Sequence, residues 1–411
     1  MRSDHFWLSH VRLETGFQME NGAVTGTETG IYHIRVEKGT IAQIEQETFV
    51  FEDDLPKMHM NGKLMLPSFR DMHIHLDKTY YGGPWKAPSI ARNGIFTRFE
   101  EERALLPRQL PVARERAGKL IELLLQAGTT RIRSHCNVDP SIGLKNLEAT
   151  LQAAEDFIGK AEIEIVAFPQ HGLLLSQSVS LMREALRNGA SLVGGVDPAT
   201  VDGDVEKSLQ TTMELAVEAN ADIDLHIHDG GHLGLFTFQR LADLTEEAGW
   251  QGRVTISHAL ALADIPREKA AAHAERLAGL GISIASSVPL GRTIPIPLLH
   301  ERGVKVWLGD DSITDHWSPF GRGDVLEKAG NLAERFHFVD EVELGQTLGC
   351  ITGGVTPLNR GGEQTWPRVG DEASVVFVDA SCSAEAVARR AQRVAVFFKG
   401  RLAAGAIPAA R

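Results

Sequence analysis

The chain is short of several things, and each shortage narrows what it can be. It has three cysteines, Cys136, Cys350 and Cys382, and none belongs to a CxxC pair. That is too few and too scattered for a disulfide framework, so they are read as reduced thiols. No stretch reaches the roughly 18 consecutive apolar residues of a spanning helix. The opening Met1-Arg-Ser-Asp-His5 also lacks the basic-then-apolar order of a secretory signal. A cytoplasmic protein with no membrane partner is expected. Positive charge is scarce too: 42 Lys and Arg stand against 54 Asp and Glu, a net charge of −12. A globally basic surface for nucleic acid is thereby excluded, and a small-molecule substrate becomes the default partner. No internal repeat or low-complexity tract is present.

What is there suits a globular enzyme. The 411 residues, 43% apolar and 23% charged, suffice for one large barrel or for two to three ordinary domains. Between about 64 and 309, short apolar runs alternate with helix-like segments. The candidate strands are 64–72, 130–135, 163–170, 192–196, 223–228, 254–258, 282–285 and 304–309. Helical spacing of apolar residues lies between them, as at 114–126, 146–158 and 210–219. Eight such units in roughly 250 residues are the dimensions of a (β/α)8 TIM barrel, whose chemistry sits at the C-terminal ends of its strands. The outer pieces read as short alternating strands, 31–37 and 41–45 near the start, 374–378 and 394–398 near the end. We therefore expect an α/β chain. Its catalytic barrel spans 64–355, and a small β-sandwich domain is formed from both chain ends, 1–63 and 356–411.

Polar residues at the predicted strand ends carry the chemistry. His73 and His75 are two apart on the first strand, so their rings project from one face and can reach one ion. His226 and His228 end the fifth strand, His258 the sixth, and Asp310-Asp311 the eighth. Imidazoles and a carboxylate from these strands would converge on one mouth, a pattern that points to a metal site.

These residues lie in phrases that resemble the amidohydrolase superfamily, in the branch holding cytosine deaminase and the s-triazine enzyme isopropylammelide amidohydrolase. The phrases are Pro67-Ser-Phe-Arg-Asp-Met-His-Ile-His-Leu-Asp-Lys-Thr79, Arg133-Ser-His135, Phe168-Pro-Gln-His-Gly172, Val193-Gly-Gly-Val-Asp-Pro-Ala-Thr200, the His226 segment, Ser257-His258 and Asp311-Ser-Ile-Thr-Asp-His-Trp-Ser-Pro-Phe-Gly321. Val369-Gly-Asp-Glu-Ala-Ser-Val-Val-Phe-Val-Asp379 resembles the return of the chain into the β-domain. The resemblance covers nearly the whole chain. It implies that His73, His75, His226 and Asp311 hold one divalent ion, with His258 beside the attacking water. Zinc suits that donor set first, and ferrous iron would also be accommodated. Binuclear relatives carry a lysine or an acid at the fourth strand; Val193-Gly-Gly-Val196 offers no lysine, although Asp197 follows directly.

The implied reaction is attack by metal-activated hydroxide on a C–N bond of a small nitrogen heterocycle of pyrimidine, s-triazine or pterin type, releasing ammonia or an amine. Asp311 and His258 are the groups near the water. Asp229 stands where the cytosine deaminase pattern has a glutamate proton shuttle. Lys78 matches a lysine of the triazine enzyme; it would donate a proton or orient the substrate if a neighbouring cation depresses its pKa, or else lie in solvent paired with Asp77. Gln170 matches a family position that hydrogen-bonds the substrate's ring edge. Trp317 is read as a stacking wall or a core residue, His228 as a substrate contact or a supporting partner for Asp229 or a metal ligand, and His135 as a supporting site residue. Tyr80, Tyr81 and Trp85 follow in a loop over the mouth. A homo-oligomer is expected by family analogy alone. Two rival readings stay open: hydrolysis of a cyclic or exocyclic amide, and a barrel kept as a non-catalytic binding or assembly protein.

Overall fold

A computed structural model describes residues 4–409 of the chain. The N-terminal segment supplies five strands to a mixed sheet: β1 (His5–Glu20), β2 (Ala23–Glu37), β3 (Thr40–Gln46), β4 (Lys57–His59) and β5 (Leu64–Pro67). Eight strands follow in a second, wholly parallel sheet: β6 (Phe69–Ile74), β7 (Thr129–Asn137), β8 (Glu162–Phe168), β9 (Leu192–Val196), β10 (Asp222–His226), β11 (Val254–Ser257), β12 (Ser283–Ser286) and β13 (Val306–Leu308). Each pairs with its neighbour in sequence, from β6 through to β13. The chain then returns to the first sheet with β14 (Val375–Val378), β15 (Arg393–Phe398) and β16 (Arg401–Gly405). The architecture is thus a (β/α)8 barrel with a mixed sheet built from both ends of the chain.

The first predicted strand, 64–72, is two strands. β5 pairs antiparallel with β14, from Leu64 opposite Val378 to Pro67 opposite Val375, and the chain crosses into the barrel at Ser68. β5 is buried on both faces, whereas β6 is buried on one face and half-buried on the other at Arg70 and Met72. Leu64, Leu66, Val376 and Val378 pack into the barrel's core, while Met65, Val375 and Phe377 pack into the core of the mixed sheet. Each fully buried side chain of this kind contributes about 1.5–3 kcal/mol, so the β5/β14 pair ties the two layers together.

The barrel closes at its seam between β6 and the end of β13. Asp311 donates its backbone N–H to the His73 carbonyl at 2.7 Å, and Ile74 bridges Asp311 in parallel register. Only glycine fits at 309 in this seam: a Cβ there would lie 2.5 Å from the His73 nitrogen and 2.6 Å from its Cβ. The helix predicted over 114–126 is the end of a much longer one, α1 (Gly94–Gln126), which includes Pro107 and Pro111. Its first turns reach over the barrel mouth. Among the described residues, no helix is long and apolar enough to cross a membrane.

Candidate active site

The five residues of the anticipated metal nest meet at the C-terminal end of the barrel. His73 lies on β6 and His75 just beyond it; His226 ends β10, His258 follows β11 and Asp311 follows β13. One ligand atom from each of His73, His75 and His226 lies within 4.8 Å of the other two, and the same holds for His73, His258 and Asp311. Asp311 Oδ1 is 3.6 Å from Nε2 of both His73 and His75. His258 and Asp311 sit in the left-handed backbone region, at φ of 73° and 65°. Strain of that kind, of order 1–3 kcal/mol per residue, collects where side-chain direction matters more than local comfort.

The chemistry of these groups fits a cation. His73 Nε2, His258 Nε2 and both ring nitrogens of His226 are buried without a hydrogen-bond partner. Orphaned buried polar atoms are costly, and a divalent ion is the partner that would satisfy several at once. Burial pushes the pKa of His75, His226 and His258 well below the ordinary histidine value, which keeps the rings neutral with lone pairs available. Burial pushes Asp311 the other way, but the imidazoles of His73, His258 and His75 packed around it outweigh burial and hold the carboxyl well below its usual range.

A relay beneath the nest orients His73. Its Nδ1 lies 2.8 Å from Ser257 Oγ, and Ser257 Oγ donates to Asp224 Oδ1 at 2.6 Å. The serine proton is spent on Asp224, so His73 Nδ1 is the donor and its Nε2 lone pair faces the nest. Asp224 is held in turn by Arg133 Nη1 at 3.1 Å. His135 lies below, its ring centroid 4.3 Å from that of His73 and 4.4 Å from that of His226, with neither nitrogen hydrogen-bonded.

Beside the nest opens a cavity of about 590 Å³ whose wall includes Arg98, Asp197, Thr200, His228, Asp229 and Trp317. The His228 ring stacks on His258, with centroids 4.3 Å apart, and its Nδ1 is tied to Asp197 Oδ2 at 2.8 Å. Burial works against protonation of His228, but Asp197 prevails and its pKa is raised. Asp229 accepts from the Thr200 hydroxyl and, at 3.3 Å, from the Thr200 N–H. Burial lifts its carboxyl above the ordinary range despite those bonds.

Lys78 is neither solvated nor paired with Asp77. It is 1% exposed, and its Nζ donates to Gln170 Oε1 at 2.6 Å and to Glu102 Oε1 and Asn137 Oδ1 at 3.3 Å each. The condition set for it, a nearby cation that lowers its pKa, is not met. Burial does lower the value, but Glu102, then Asp77 and Asp315, overcome it and hold the ammonium above the ordinary lysine range. Asp77 is occupied by the Asn137 N–H and Asn146 Nδ2, both at 2.9 Å. Asp310 is not among the residues gathered in the nest; its backbone N–H donates to Asp71 Oδ1 at 3.2 Å, and burial pushes its carboxyl up to about 6. Of the three aromatic residues expected over the mouth, Tyr80 is buried and Trp85 is 74% exposed.

Glu102 was not anticipated from the sequence. It lies on α1, is completely buried, and gathers five donors. Besides Lys78, Oε1 accepts from His316 Nε2 at 2.7 Å and Trp317 Nε1 at 2.8 Å; Oε2 accepts from His171 Nε2 at 2.9 Å and Asn137 Nδ2 at 3.0 Å. Trp317 is therefore fixed at one end by this carboxylate while it lines the cavity. In sequence Glu102 sits in Glu100-Glu101-Glu102-Arg103, which reads as a solvated helix face.

A barrel with this mouth and a sheet from both chain ends defines a class. Residues 60–404 match the amidohydrolase family, and the chain belongs to that family. It is accordingly a hydrolase of C–N bonds other than peptide bonds, related to deaminases and ammelide hydrolases. The Escherichia coli (strain K12) protein YahJ is 46% identical over 406 residues, 98% of this chain and 88% of that one. N-isopropylammelide isopropyl amidohydrolase of Pseudomonas sp. (strain ADP) is 33% identical over 389 residues, covering 92% of this chain and 95% of the relative. Among solved structures, N-isopropylammelide isopropylaminohydrolase from Burkholderia multivorans superposes with a TM-score of 0.85 at 31% identity and covers 97% of each chain.

Proposed function

We propose that the chain is a metal-dependent aminohydrolase that removes an amino or alkylamino group from a small nitrogen heterocycle of pyrimidine, s-triazine or pterin type. One observation carries the reading: unpartnered, buried imidazole nitrogens of His73, His226 and His258 are gathered with His75 and Asp311 beside a cavity walled by proton-bearing groups. Similarity to two isopropylammelide hydrolases supports the triazine end of the range.

His73, His75, His226 and Asp311 would hold one divalent ion, with zinc the first candidate and ferrous iron the second. When bound, such an ion lowers the pKa of water and supplies a nucleophile at neutral pH. The chain's own groups do the rest. Asp311 stays ionised and takes up a proton as the nucleophile attacks, with His258 beside it. Asp229, whose carboxyl burial shifts toward the protonated form, delivers a proton to the leaving nitrogen from the cavity wall, and Thr200 fixes its direction. His228 orients the ring through its Asp197-bound imidazole, Trp317 supplies a flat wall, and His135 packs beneath the ligands. Gln170 contacts the ring edge. Lys78, charged and paired with Glu102, holds the substrate side in place rather than exchanging a proton.

The test joins metal analysis of the purified full chain to a panel of aminated and alkylaminated pyrimidines, triazines and pterins, with ammonia and amine measured directly. The expected result is near one equivalent of divalent ion and amine release that chelation abolishes and metal restores. Ring opening without ammonia or amine would move the assignment to amide hydrolysis. A protein with no bound ion and no stimulation by zinc, manganese or iron would overturn it.

A further inference from the structure

The chain turns where β9 ends, and the turn is built on a carboxylate. Asp197 follows Val196 directly and donates its backbone N–H to the His226 carbonyl at 3.0 Å, so β9 and β10 stay joined one residue past their last strand pair. Its backbone lies in the left-handed region, at φ of 37°, a conformation that persists where surrounding bonds hold it. The side chain supplies those bonds. Oδ1 accepts from two successive backbone N–H groups, His228 at 2.5 Å and Asp229 at 3.0 Å, and Oδ2 accepts from His228 Nδ1 at 2.8 Å. A carboxylate accepts and does not donate, so Nδ1 is the ring nitrogen that carries the proton. Asp197 is 3% exposed, and among the described residues it belongs to none of the groupings of ligand atoms at the nest. Three residues on, Thr200 binds Asp229 with its hydroxyl and, at 3.3 Å, with its N–H. Asp197, Thr200, His228 and Asp229 all line the cavity of about 590 Å³.

We infer that Asp197 is a positioning residue for the proton-delivering side of the site: one oxygen fixes the main chain from which Asp229 reaches the cavity, and the other holds the His228 ring by Nδ1. Orientation of the substrate ring and delivery of the proton therefore depend on a single carboxylate. Asp197 acts through these two groups and not on the substrate itself. The same three bonds withhold it from a cation, so the acid that follows the fourth barrel strand brings no second ion into the nest. The inference rests on the proposed heterocycle aminohydrolase reading and names the group that arranges its proton donor.

The experiment follows amine release from an aminooxopyrimidine and an alkylamino-s-triazine by the metal-loaded full chain, with kcat and KM measured separately. Asp197→Asn keeps an oxygen for the two backbone N–H groups but turns an N–H2 toward His228 Nδ1. It should raise KM by about tenfold with a smaller effect on kcat. It should also move the neutral ring's proton to Nε2 in nitrogen NMR spectra, where His228→Gln identifies the signal. Asp197→Ala removes both acceptors and should lower kcat/KM by about 100-fold. In a chain already carrying Asp229→Asn the same change should cost kcat less than about threefold, because the group it aims is gone. Metal content should match wild type throughout. If Asp197→Ala does not fold, Asp197→Asn decides through KM and the ring spectrum. An unchanged KM with the proton still on Nδ1, a full loss of kcat in the Asp229→Asn background, or metal lost from either variant would overturn the inference. A wild type that releases no amine from any ring would overturn the underlying reading, while the ring spectrum and metal content would still report whether Asp197 holds His228 and stays off the ion.

Discussion

Removing Lys78 should expose how strongly the substrate side of the site depends on one buried charge pair. Lys78→Met leaves the Glu102 carboxylate with no cation in contact and with a surface exposure of 0%. Breaking a buried ion pair by deleting one partner costs about 3–5 kcal/mol, because the survivor is left uncompensated. Asn137, His171, His316 and Trp317 still donate to Glu102, so the lower end of that range applies. An unfolding entropy of about 2.1 cal/mol/K per residue over 411 residues converts a cost of about 3 kcal/mol into a Tm lower by about 3–4 °C. Glu102→Gln should cost a similar amount, and the double variant should cost less than the sum, with coupling of about 1–3 kcal/mol. The pH dependence follows from the two shifts. Glu102 is held well below the ordinary carboxyl value despite its burial, so its contribution is present above about pH 4.5 and fades as the pH falls through the lower folded value. Lys78 is held above 10.5, so its contribution is present below that pH and fades as the pH rises through the folded value. The gap between wild type and Lys78→Met, followed by calorimetry, should therefore be flat from about pH 5 to 10 and narrow on either side. Single variants within about 1 °C of wild type, or strictly additive shifts, would refute the coupling.

Other perturbations separate the remaining parts of the site. Asp311→Asn should lower turnover by about 1,000-fold or more, as loss of several kcal/mol of charge stabilisation demands; Asp310→Asn, which lies outside the nest and keeps its backbone bond to Asp71, should be far milder in steady-state assays, and the opposite ranking would show the β13 register to be misread. Ser257→Ala breaks the relay that orients His73 and should weaken metal affinity by about 10–100-fold in chelator competition, with unchanged affinity counting against the relay. Gly309→Ala drives a methyl group against the His73 backbone and should cost about 1–3 kcal/mol or more together with metal occupancy, read by calorimetry and metal analysis; a fully loaded, unshifted protein would show that the seam can yield.

The barrel was legible because short strand-like stretches alternate regularly with helix-spaced segments, and the predicted 192–196 coincides with β9. The gathering of His73, His75, His226, His258 and Asp311 was legible because residues two apart on a strand, or at the ends of neighbouring strands, come to the same mouth. Where one extended stretch feeds two sheets, as at Ser68, pattern alone shows no boundary, because no glycine or asparagine marks the crossing. Glu102 was illegible for the opposite reason. Nothing local distinguishes it from Glu100 and Glu101; only tertiary placement over the mouth brings Lys78, His171 and His316 to it. The surroundings of Lys78 were illegible with it, since the carboxylate that contacts its ammonium is distant in sequence.

The seam between β6 and the end of β13 also sets a timetable for the chain's birth. His73 is among the first barrel residues made and Asp311 among the last, and their backbone bond both closes the barrel and completes the nest. β5 waits still longer, for β14. At synthesis rates of about 5–20 residues per second, the early strands spend on the order of ten seconds or more without their closing partners. During that interval the apolar edge of β6 is open, a state that favours chaperone capture or misassociation. A nascent chain halted before residue 311 has the imidazoles of His73 and His75 but not the carboxylate that lies 3.6 Å from both, so the cluster is complete only once the last barrel strand is made.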